Sequence, residues 1–170
     1  MKKTNLAFLL VSTLLLLCSA SHANDLTLEQ EWLIKLQIKE LSDLYGITRD
    51  NDDAEGHAGT FAEDGVLVLY GNEYKGREVI AERVRSAGTT GLRMHVLSTS
   101  NIEVIDSHNA RGVHYVTVYS TTKPENYDPN ERTPVANFRT MGKYHDKYIL
   151  TDQGWKFSER RLEAIFTGAE

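Results

Sequence analysis

The chain has 170 residues, a formal charge of −5 and one cysteine, Cys18. That length suits one domain with a core large enough to need no disulfide staples. Net acidity, with no basic run beyond the N-terminal segment, argues against nucleic acid as the main partner.

Lys2 and Lys3 precede a mostly apolar run, Leu6 to Leu17, which ends in the small-residue stretch Ser21-His22-Ala23. This is the order of a secretory signal peptide, with cleavage expected after Ala23. The apolar run is too short to span a bilayer comfortably, so no stable membrane anchor is expected. Residues 24–170 then form the mature domain, periplasmic or secreted, with a charge of −7 and no thiol. Loss of Cys18 excludes disulfides, cysteine nucleophiles and thiolate metal sites from the mature chain.

Thr27-Leu28-Glu29-Gln30 is a capping-box pattern, and Ile34, Ile38, Leu41 and Tyr45 follow at helical spacing. Together they predict an amphipathic helix over about 27–48, broken by the polar run Asp50-Asn51-Asp52-Asp53. A shorter helix is expected from Asp53 to Phe61, then a strand over Gly65–Tyr70 and a third helix over Arg77–Ala87. Segments 92–105, 111–122, 135–150 and 154–166 are rich in β-formers and separated by turn signals. Helices followed by long hairpins indicate an α+β domain with helices packed on one face of a curved sheet. The polar segment Lys123–Pro134 reads as a lid or as a solvated connection.

Several local motifs occur in a particular order. They are Ile38-Lys39-Glu40-Leu41 with Tyr45, the Asp50/Asp53 pair before Phe61-Ala62-Glu63-Asp64-Gly65, and Tyr74-Lys75-Gly76-Arg77-Glu78. Met94-His95, Gly142-Lys143-Tyr144-His145-Asp146 and Gly154-Trp155-Lys156-Phe157 with Arg160 follow. In this order, over about residues 30–166, the sequence resembles the SnoaL-like branch of the NTF2-like superfamily. The resemblance implies a cone: a strongly bent, mainly antiparallel sheet wrapped around N-terminal helices, with a mostly apolar internal pocket. Such a pocket suits a small apolar or aromatic molecule.

Lyase members of this family include scytalone dehydratase, bile acid 7α-dehydratase and hexachlorocyclohexane dehydrochlorinase. They carry an Asp–His pair in the pocket, and the matching positions here are Asp50 and His95. A carboxylate bonded to one imidazole nitrogen fixes the tautomer and raises the basicity of the other nitrogen. The result is a base suited to removing a proton beside a leaving group. The resemblance also makes Tyr45 a hydrogen-bond donor to a substrate oxygen. The residues themselves leave other roles open. Asp50 can end the first helix, Asp53 can cap the second, His95 can be a structural strand histidine, and Tyr45 can be a core tyrosine. Five residues separate Tyr45 from Asp50, so their convergence requires the helix to end or turn between them.

The match has gaps. The general-base Asp of ketosteroid isomerase falls near Leu69, and the dehydratase tyrosine of the first strand matches Tyr70 only after a one-residue shift. The pocket arginine of the bile acid enzyme falls at Ala164, leaving Arg160 and Arg161 as candidate substitutes. In the last strand the inward pattern of Trp155 and Phe157 changes parity by Leu162, which allows a bulge that aims an arginine inward. The remaining histidines show no metal spacing, and neither a phosphate loop nor a nucleophile elbow is present. No metal and no cofactor are therefore expected. Three readings follow: a cofactor-free lyase or isomerase, a binding protein with the same pocket, or a homodimeric interaction module using the outer sheet face.

Overall fold

The computed structural model describes residues 26–134 and 138–168. The expected signal peptide and its cleavage point lie outside the described residues. Helix α1 spans Leu28–Asp50, α2 Ala54–Gly59 and α3 Arg77–Ser86. The strands are β1 Phe61–Leu69, β2 Asn72–Lys75, β3 Gly91–Val104, β4 Asn109–Thr122, β5 Phe138–Thr151 and β6 Gly154–Thr167. Among the described residues no helix is long and apolar enough to cross a membrane.

The capping box at the start of α1 is complete. Thr27 accepts from the Gln30 backbone N–H at 3.2 Å, and the Gln30 side chain accepts from the Thr27 N–H at 2.8 Å. The helix then buries Ile34, Ile38, Leu41 and Tyr45, the stripe expected from spacing. It continues two residues further than expected, so Tyr45 and Asp50 lie on one unbroken helix and no turn separates them. Asn51 and Asp52 follow as a turn, with Asp52 at φ 56°. Asp53 caps α2 by accepting from the Gly56 N–H at 2.9 Å. The first strand starts earlier than expected, at Phe61, because Phe61 and Ala62 are buried and belong to the core. The short strand β2 is an addition: Asn72–Lys75 folds back on β1 through a turn at Tyr70 and Gly71, both with positive φ.

The six strands form one sheet in the order β2-β1-β6-β5-β4-β3. β1 runs parallel to β6, and every other pairing is antiparallel. Helix α1 contacts both β3, at the sheet edge, and β6, three positions away. Strands three positions apart in a flat sheet are separated by about 14 Å. A helix that touches both, with less contact to β4 and β5 between them, fits a sheet that curls around it. The inner face of that curl carries Phe61, Leu67, Tyr144, Tyr148 and Phe157, which pack with Ile38 of α1 as the core.

Two breaks in register shape the sheet where the chemistry lies. Tyr148 pairs with Phe157 and Lys147 with Glu159, which leaves Ser158 as an extra residue in β6. This bulge shifts parity, so Arg160 follows Phe157 onto the inner face. There the Arg160 guanidinium is completely buried and gripped by Asp146, at 2.9 Å through Nε and 2.7 Å through Nη2. Its carbon centre lies 4.3 Å from the Tyr45 and Tyr144 rings and 4.0 Å from that of Phe157. Tyr148 donates to Asp146 at 2.8 Å and meets His114 Nε2 at 2.9 Å, extending the network to β4.

Removing one member of a buried ion pair leaves an uncompensated charge, at a cost of about 3–5 kcal/mol. Arg160→Met should therefore lower unfolding free energy by about that much in urea titrations. The double variant Arg160→Met with Asp146→Leu should recover most of the loss.

Candidate functional site

Where α1 ends, its last residue reaches across to β3. Asp50 Oδ1 lies 2.6 Å from His95 Nδ1, and Asp50 Oδ2 accepts from the His95 backbone N–H at 2.8 Å. One carboxylate thus holds both the ring and the main chain of the same residue, fixing position and rotation together. Gly46, one helical turn before Asp50, permits the approach. A Cβ there would lie 3.3 Å from Leu97 Cδ1 and 3.4 Å from His95 Cβ. Strand alternation turns Arg93, His95 and Leu97 toward the helix and leaves Met94 and Val96 exposed.

An ionised Asp50 makes Nδ1 the protonated nitrogen of a neutral His95, so Nε2 carries the lone pair. His95 lines a cavity of about 310 Å³ between the helices and the inner sheet face. Tyr45 and Tyr144 form part of its floor, with Leu69, Val118 and Leu162 as the apolar wall. The Tyr45 ring stands perpendicular to that of His95, with centroids 6.2 Å apart. Burial raises the Tyr45 hydroxyl pKa above its ordinary value, opposed by the Arg160 charge beneath it. The phenol is therefore a hydrogen-bond donor at neutral pH. Convergence of Asp50, His95 and Tyr45 comes from β3 inserting His95 between two helix positions, rather than from a break in the helix.

Tyr70 also lines the cavity, at its rim, and its hydroxyl bonds Thr140. Neither candidate arginine of β6 does. Arg160 lies under Tyr45 and Tyr144, engaged by Asp146. Arg161 points to the outer face, where it pairs with Glu159 at 3.4 Å. The bulge expected from the parity of β6 exists and turns an arginine inward, but the core captures its guanidinium before it reaches the cavity. None of residues 123–134 lines the cavity.

Sequence reasoning missed a different set of arginines. Arg49, Arg83, Arg93 and Arg139 come from α1, α3, β3 and β5, and all four line the cavity. The lining is consequently less apolar than the resemblance implies. Arg49 and Arg93 share Asp52, with Arg49 Nη1 at 3.0 Å from its Oδ1. Burial, then the neighbouring Arg93 and Arg83 charges, lowers the Arg49 pKa. Arg93 was visible beside His95, but no local motif links the other three. Among the described residues there is no group of three or more His, Cys, Asp or Glu arranged to hold a metal.

The SnoaL-like domain model matches residues 30–161. The chain belongs to the SnoaL-like family. Solved structures place this SnoaL-like chain in the NTF2-like, cystatin-like fold. A protein of unknown function from Mycobacterium tuberculosis is 26% identical, with a TM-score of 0.67 over 80% of this chain and 74% of the other. A proposed scytalone dehydratase from Novosphingobium aromaticivorans is 20% identical, with a TM-score of 0.70 over 83% and 90%. A type 2 hexachlorocyclohexane dehydrochlorinase is 15% identical, with a TM-score of 0.67 over 84% and 93%. No curated protein matches the sequence.

Two further histidines, His57 and His114, are buried beside the site. Burial is the main cause that pushes their pKa values down, to about 3 and about 4 respectively. Both are neutral in the fold and take up protons on unfolding below about pH 6.5. The unfolded chain then binds more protons, so stability falls as pH drops from about 6.5 toward these folded values, by at most about 1.4 kcal/mol per pH unit for each histidine. Denaturant titrations between pH 7 and pH 4.5 should show this fall, with a shallower slope in His114→Gln.

Proposed function

We propose that this SnoaL-like protein is a cofactor-independent lyase, of the dehydratase or dehalogenase type, or an isomerase, acting on a small molecule in the cavity. The observation that carries the reading is the two-point grip of Asp50 on His95 at the cavity wall, which presents Nε2 as a base. In an elimination, His95 Nε2 takes a proton from the carbon next to the one bearing the leaving group. The C–H electron pair becomes the new double bond, and the leaving group departs with the pair of its own bond. Asp50 stabilises the imidazolium so formed. If the leaving group is hydroxide, that imidazolium returns its proton and water leaves. The Tyr45 hydroxyl donates a hydrogen bond to substrate oxygen as charge develops. Return of the proton to another carbon gives isomerisation. The fold shared with a dehydrochlorinase and a proposed scytalone dehydratase supports this class of chemistry.

The test is a screen of secondary alcohols and halides with an acidified neighbouring C–H, following loss of water or hydrogen halide by mass spectrometry. His95→Ala should slow turnover by about 10²–10⁴-fold. Asp50→Asn should lower kcat while leaving the fold intact by circular dichroism. Turnover by His95→Ala at the parent rate overturns the mechanism. Unchanged ligand recovered with the purified protein, without turnover, favours a binding protein.

Export after cleavage near Ala23 belongs to the same proposal, and intact mass of the secreted chain tests it. A homodimer is the second part. It is favoured by a row on the outer face, in which exposed Val96, Met141 and Phe166 align through half-buried Thr117 across four strands, beside exposed Met94 and Tyr119. Light scattering at micromolar concentration should give twice the chain mass, and Met141→Lys should give the monomer.

A further inference from the structure

We infer that the cavity selects a small carboxylate-bearing molecule, with an apolar body toward His95 and its carboxylate held by Arg83 and Arg139. The inference rests on the proposed use of the cavity as a substrate site and names the substrate class. It adds a charged group to the small apolar or aromatic molecule that the sequence suggested.

The chain carries 24 acidic and 19 basic residues, yet this cavity reverses the balance. Four arginines line it, and among the described residues no Asp or Glu does. Two carboxylates stand just behind the lining. Asp52 is shared by Arg49 and Arg93, and Asp50 is engaged by His95. With these counted, the cavity retains an excess of two positive charges.

Arg83 and Arg139 contribute to that excess, since among the described residues neither has a carboxylate partner. Arg83 lies against the Tyr74 ring, at 5.1 Å, and its Nε is buried without a hydrogen-bond partner. Arg139 is placed by a second break in register. Val118 pairs with Thr140 and Tyr119 with Phe138, so Arg139 is an extra residue in β5, freed from regular alternation. Planar guanidinium forks fit carboxylate oxygens two at a time. Nonpolar Leu69, Val118 and Leu162 on the cavity wall suit the rest of such a molecule. A cavity of about 310 Å³ limits it to a compact acid, roughly the size of one or two rings.

Titration calorimetry with benzoate and cyclohexanecarboxylate against benzamide and cyclohexanecarboxamide tests the charge directly. Each acid should bind at least about 10-fold more tightly than its amide, and added salt should narrow the gap. Arg83→Met and the more exposed Arg139→Met should each weaken the acids by about 10-fold and leave the amides unchanged. Equal binding of acids and amides, failure of both acids at millimolar concentration, or binding of inorganic phosphate with no acid bound would each overturn the assignment. His95→Gln separates this inference from the proposed reaction. Acids carrying a β-hydroxyl or β-halide that bind parent and variant alike and are turned over by neither sustain the carboxylate site and sink the lyase, whereas turnover of neutral substrates alone does the reverse.

Discussion

A guanidinium with no access to water needs a charge partner and oriented dipoles, and Arg160 imposes that requirement on the whole molecule. Asp146 supplies the charge from β5, Tyr148 supports the carboxylate, and three aromatic rings supply π-faces around the cation. Those groups come from α1, β5 and β6, so the pair forms only when helix and curled sheet are in register. Beneath the cavity floor, the same cation fixes Tyr45 and Tyr144, whose upper sides line the site. The apolar core alone could tolerate small slips; this network cannot.

A comparable constraint operates at the cavity wall. Asp50 engages both the backbone and the ring of His95, so helix and edge strand are joined at the residue whose free nitrogen faces the cavity. Gly46 allows the two elements to approach closely enough. The surrounding arginines divide into two sets. Arg49 and Arg93 share Asp52 and brace the turn after α1, while Arg83 and Arg139 add positive charge with no carboxylate partner among the described residues. Fixed cations around the cavity favour an anionic ligand, because they offset the charge that it brings.

Much of this was legible in the chain itself, because local signals and tertiary demands agree. The capping box at Thr27, the Ile34–Tyr45 stripe, the Asp53 cap and the long β-rich segments each specify an element through contacts within a few residues. The order of motifs from Ile38 to Arg160 identified the family, and the structure sets Asp50 in hydrogen-bond contact with His95. Parity in β6 even signalled the bulge at Ser158. Which partner would take the inward arginine was not legible, because Asp146 is adjacent only across a strand pair.

The sequence by itself therefore determined the α+β class and the order of the helices and long strands, though not the short β2. Spacing and patterning act over one turn or one strand, and those properties need nothing longer. Only the tertiary structure decided that His95 sits between Tyr45 and Asp50 on an unbroken helix, and that Arg160 belongs to the core. It also gathered Arg49, Arg83, Arg93 and Arg139 from four elements around one cavity. Charge in a site is a sum over groups distant in the chain, and the curl of the sheet sets which groups enter that sum.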